Sequence, residues 1–121
     1  MKQWLLVLIG VLFFCNQAWA QLIVDDININ DLKDVQVCEL TATRGFLSLK
    51  VTISIDYGQE SNQGGSAVMD PATGKKRKFN SVVDALNFML RNGWEYMDAL
   101  AITHSSQNVY HFYFKRKKQE G

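Results

Sequence analysis

Leu47-Ser48-Leu49-Lys50-Val51-Thr52-Ile53-Ser54-Ile55-Asp56-Tyr57 alternates apolar and polar side chains without a break. That is the period of a strand with one face buried and the other wet. A strand needs a neighbour, and the preceding residues offer one from Val35, with Arg44-Gly45 as a two-residue turn. This turn sets Leu40 opposite Leu49 and Cys38 opposite Val51 on the apolar face, with Glu39 opposite Lys50 and Thr41 opposite Ser48 on the polar face. A slip of one residue would bring Leu40 beside Lys50, so the pattern selects this register.

Beyond the hairpin, residues 58–66 form a polar loop. Asp70-Pro71-Ala72-Thr73-Gly74 reads as a turn: proline presets its own φ, aspartate bonds nearby backbone and glycine accepts positive φ. It is expected to join short strands at Ala67–Asp70 and Lys75–Phe79, the four basic residues 75–78 protecting a sheet edge. A helix then starts at Asn80 or Ser81, with Ser81 and Asp84 in capping-box spacing and Gly93 as the stop. Val82, Ala85, Leu86, Met89 and Leu90 fall on one side of it and Asp84, Asn87 and Arg91 on the other, with Phe88 outside the apolar cluster.

Trp94–His104 and Val109–Lys117 read as a closing hairpin. A turn centred between Ser106 and Gln107 sets Ala99 opposite Phe114 and Ala101 opposite Phe112, small against large beneath a helix. Strict alternation then places Trp94, Tyr96, Asp98, Leu100, Ile102, His104, Val109, His111 and Tyr113 together on the uncovered face. The expected class is α+β: an antiparallel sheet of about five or six strands with one helix packed on one face.

Met1-Lys2-Gln3, the apolar run Trp4 to Phe14 and Ala18-Trp19-Ala20 have the layout of a secretory signal peptide cleaved after Ala20. The run is well short of the roughly 20 apolar residues that span a bilayer. Cys15 follows Phe13-Phe14, where lipid attachment would need a small residue. The expected organisation is therefore a signal peptide at 1–20, a poorly ordered lead-in at 21–34, one α+β domain at 35–117 and a solvated tail at 118–121, exported to the periplasm or beyond. Lys2 lies in the leader, so the remaining Lys and Arg balance the 12 Asp and Glu, and Cys38 is left as a lone thiol. The basic runs 75–78 and 115–118 read as a solvated edge and tail. Export argues against a nucleic-acid partner.

Cys38 falls among Leu40, Leu49 and Val51, which makes it a core thiol rather than a nucleophile. Asp26-x-Asn28-x-Asn30 opens like a calcium loop, but Asp31 replaces the required glycine and Val37 the bidentate glutamate. The glycines at 64–65 and 74 lack phosphate-loop spacing, and no Gly-x-Ser-x-Gly elbow occurs. His104 and His111, diagonal neighbours in the register above, supply two ligands where a zinc site needs four.

Around Gly93-Trp94-Glu95, after the helix and before the closing Phe114-Lys115-Arg116, the chain is similar to small domains of unknown function built on a helix, a Gly-Trp-Glu step and a Phe-Lys-Arg strand. Cys38-Glu39-Leu40, Asp56-Tyr57-Gly58-Gln59, Phe79-Asn80-Ser81 with Asp84-Ala85-Leu86-Asn87, and Asn108-Val109-Tyr110-His111 extend the likeness. With them the chain resembles small exported proteins of Bacteroides-type Gram-negative bacteria. The resemblance implies export and a single domain, and no activity, cofactor or catalytic residue.

The function expected is a non-catalytic binding module of the cell envelope that contacts a protein or surface glycan through Trp94, Tyr96, Leu100, Ile102, His104, His111 and Tyr113. No cofactor, metal or transmembrane anchor is expected. Two alternatives stay open: a small hydrolase or metal-binding protein centred on His104 and His111, with Asp98 a further candidate that lies down the strand out of reach of His104, and a structural homodimer.

Overall fold

The alternating run becomes the middle of a sheet. A computed structural model describes residues 21–44, 49–60, 65–104 and 107–118, with the side chains of residues 104, 107 and 108 outside the description. The leader 1–20 with Cys15, Gly45 of the expected turn, Leu47 and Ser48, loop residues 61–64, the tip at 105–106 and residues 119–121 also lie outside the described residues.

In chain order the elements are β1 (Ile23–Val24), β2 (Ile27–Asn28), a 3-10 turn (Ile29–Asp31), β3 (Val37–Arg44), β4 (Val51–Asp56), β5 (Ser66–Met69), helix α1 (Val82–Arg91), β6 (Trp94–His104) and β7 (Gln107–Arg116). The strands form one seven-stranded sheet in the order β2-β1-β5-β4-β3-β7-β6. Every pairing is antiparallel. The class is α+β as expected, but the strand count differs for two reasons. Residues 21–34 supply β1 and β2, while the expected strand at Lys75–Phe79 makes only isolated bridges, Phe79 to Val51 and Lys76 to Met69.

Leu40 lies opposite Ile55 rather than Leu49, and Val51 faces Arg44 rather than Cys38. The shift is an even number of residues, so every side chain keeps its face. Val51 exchanges both backbone hydrogen bonds with Phe79, at 2.7 and 2.8 Å, which fixes the start of β4 there. Leu49 is left 85% exposed in the connection.

Helix α1 is capped as its sequence requires: Ser81 Oγ accepts from the Asp84 amide, and Asp84 Oδ2 accepts from the Asn80 amide. Gly93, at φ +85°, turns the chain out of the helix. The buried face is rotated from the one expected. Phe88 is fully buried with Ala85 and Met89, while Leu90 is half exposed. Phe88 is covered from the side: it packs on Phe79 with ring centroids 5.2 Å apart, and Arg77 stacks over it at 4.5 Å. Arg77 is thus a packing residue within a run that otherwise faces solvent.

Residues 21–34 contribute Leu22, Val24 and Ile29 to the core. Arg116 clamps this segment from β7. Its guanidinium donates to four carbonyls, those of Ile29 (2.9 Å), Asn30 (3.1 Å), Leu32 (2.6 Å) and Val35 (2.8 Å). It also stacks 4.5 Å from the Trp94 ring. Asn30 completes the joint by accepting from Trp94 Nε1 at 3.0 Å and donating to Asn92 Oδ1 at 2.7 Å.

Candidate functional site

The expected contact face is split in two by a β-bulge. Trp94 pairs with Arg116 and Tyr96 with Phe114, but the next pair is Asp98 with Tyr113, so Met97 has no opposite number. An unpaired residue inverts the alternation of all that follows. Trp94 is therefore turned into the core, where it is buried. Tyr96 lies on the helix side against Phe114, edge to face at 6.1 Å. Neither shares a face with Leu100, Ile102, His111 and Tyr113, and this corrects the single mixed face read from the sequence.

After the bulge the pairs are Ala99 with Phe112, Leu100 with His111 and Ile102 with Val109, closing at His104 with Gln107. Leu100 rather than Ile102 is opposite His111, which separates positions 104 and 111 by four residues along the hairpin, about 13 Å at the rise of a strand. The backbone does not bring the two histidines together on one metal, and the side chain of His104 lies outside the described residues. Asp98 is instead the diagonal neighbour of His111. Among the described residues no three His, Cys, Asp or Glu side chains are grouped to hold a metal ion.

Next to Leu100 on the open face is a polar cluster whose β3 members the sequence reading did not single out. β3 runs beside β7 with Glu39 opposite Tyr113 and Thr41 opposite His111. His111 Nδ1 lies 2.7 Å from Glu39 Oε1 and 3.4 Å from Thr41 Oγ1. Burial pulls the Glu39 carboxyl upward, but hydrogen bonds from His111 and Tyr113 outweigh it and hold Glu39 below its ordinary value. The same hydrogen bond to Glu39 raises the Tyr113 hydroxyl. Both neighbours of His111 meet the same ring nitrogen. A base that relays a proton from a hydroxyl needs one nitrogen for the carboxylate and the other for the nucleophile, and Thr41, Glu39 and His111 do not have that geometry.

Cys38 is buried, and burial pushes its thiol up to about 12. It has the inert character expected of a core cysteine.

Thr41 with His111 is the last pair joining β7 to β3. Beyond it the β6–β7 hairpin continues as an arm. At its root Leu100, opposite His111, is 51% exposed; beyond it Ile102 is 45% exposed on the same side and Tyr110 52% exposed on the other, beside exposed Ala101. β6 is also an edge of the sheet. At the base of the arm, on the helix side, Val83, Leu86, Leu90, Tyr96 and Phe114 line a shallow apolar groove of about 290 Å³.

Comparison of the chain with family models, curated proteins and solved structures finds no match. The functional reading therefore stands on this surface alone.

Proposed function

We propose that the protein is a non-catalytic interaction module of an exported chain, with the β6–β7 arm as its contact surface and Leu100, Ile102, His111 and Tyr113 as the contact residues on the open face. The observation that carries the reading is Leu100 and Ile102, two aliphatic side chains about half exposed where the β6–β7 hairpin leaves β3. They contribute little to the core of their own chain, and apolar patches with polar neighbours mark partner sites. Glu39, His111 and Tyr113 form the polar border. The partner class is a protein or surface glycan of the envelope.

Affinity capture from an envelope extract, compared with the Leu100→Ser/Ile102→Ser double variant, tests the reading. The variant should keep its circular dichroism spectrum and lose the captured partner. Equal capture by both proteins would remove the arm from the function.

A further inference from the structure

We propose that two copies of this chain join edge to edge through β6, antiparallel about a twofold axis at Ala101. The proposal rests on the arm being a contact surface and names its occupant as a second copy. An edge strand presents unpaired backbone donors and acceptors, which proteins usually guard with Lys, Pro, a bulge or brevity. The two edges of this sheet differ in that respect. β2 is two residues long and follows Asp25 and Asp26. β6 runs for 11 residues and contains neither Lys nor Pro. Its bulge guards only the stretch around Met97, and residues 99–103 (Ala-Leu-Ala-Ile-Thr) are uncharged.

The sequence of that stretch also selects the axis. Centred on Ala101, Leu100 of one copy faces Ile102 of the other, twice, and Ala99 faces Thr103, twice. Apolar thus meets apolar on the open face, with no like charges opposed. Centring on Leu100 would set Asp98 opposite Ile102. Centring on Ile102 would pair Leu100 with position 104 instead of a second aliphatic side chain.

Exposed apolar side chains flank this edge on both faces: Leu100 and Ile102 on the open face, and Tyr96, beside Val83 and Leu90 of α1, on the helix side. A second copy added along β6 therefore lies beside apolar surface on either side of the joined sheet.

Light scattering over a concentration series, on the chain from Gln21 onward, should show the mass rise to twice that of the monomer. Ala101→Cys should oxidise to a covalent dimer, because facing residues of an antiparallel pair have Cα atoms about 4.5–5.5 Å apart, within disulfide reach. Thr103→Cys, which faces Ala99, should not cross-link, and buried Cys38 should not contribute. Leu100→Lys should stay folded and monomeric.

A monomer at every concentration would overturn the proposal, and so would a dimer that Ala101→Cys fails to trap and Leu100→Lys fails to dissociate. The arm's wider role fails separately. If the chain is monomeric but still loses its envelope partner in Leu100→Ser/Ile102→Ser, only the second copy is the wrong occupant, and heterologous strand addition takes its place.

Discussion

The two halves of the β6–β7 hairpin are made of the same kinds of residue and have opposite fates. At the base, Trp94 and Phe114 are buried, Arg116 reaches four carbonyls of the N-terminal segment, and Tyr96 packs on Phe114. In the outer half, Leu100 stands half exposed in the last row that β3 accompanies, and Ile102 and Tyr110 stand about half exposed beyond it. The base is held by tertiary packing and the arm by its own ladder. Half-exposed apolar side chains outside the core are surface that a partner would cover.

Truncation at each half gives the sharpest contrast. Phe114→Ala removes a fully buried ring and should cost about 4 kcal/mol in chemical unfolding. Leu100→Ala, measured on dilute monomer, should stay within about 0.5 kcal/mol. A comparable loss at both positions would mean that the arm is part of the core.

Arg116 gives the next largest effect. Arg116→Met keeps the aliphatic stem but takes the charged donor from four carbonyls, of which those of Ile29 and Leu32 keep the Leu32 and Val35 amides, and hydrogen bonds to a charged group are the costly ones to lose. The expected destabilisation is about 3 kcal/mol, with amide protection falling first in residues 22–36. Lys117→Ala, one position along and exposed, should change little. Equal effects would return Arg116 to the solvated tail that its basic neighbours suggest.

The features legible in the sequence were the local ones. The Ser81–Asp84 cap and the stop at Gly93 each follow from a few adjacent residues, and alternation kept the β3 and β4 faces correct, with Cys38 buried, even where the pairing was displaced. Contacts between distant segments were not legible. Glu39 meets His111 across 72 residues of sequence, and Arg116 meets Ile29 across 87. Nothing near Glu39 or Arg116 marks them apart from any other charge on a strand. The bulge has no residue signature at all: Met97 sits in an unbroken run, and strict alternation assigned Trp94 and Tyr96 to the wrong face.

The bulge also makes an unusual deletion tolerable. Removing one residue from a strand normally inverts every side chain beyond it. Met97 has no partner, and without it Tyr96 with Phe114 and Asp98 with Tyr113 become consecutive pairs of a regular ladder. Deleting Met97 should therefore cost only about 1 kcal/mol, with Trp94 fluorescence still that of a buried indole. It should also straighten the β6 edge and increase self-association. A red-shifted Trp94, or a collapse of stability, would show that the bulge does more than separate the two halves.

The smallest effect lies at the boundary itself, where Glu39 and His111 bridge β3 to β7 one pair before the arm departs. Glu39 has a folded value below its ordinary 4.5. A carboxyl depressed by folding adds stability that is complete above the unfolded value and is lost as pH falls through the folded one. Stability from this contact should thus be constant above about pH 4.5 and decline below it, by about 1 kcal/mol or less for a partly exposed pair. Glu39→Gln should carry the deficit at neutral pH and converge with the parent protein in acid. If Glu39→Gln instead ran parallel to the parent down to pH 3, the carboxylate would not be holding β7 to β3, and the boundary between base and arm would rest on the backbone ladder alone.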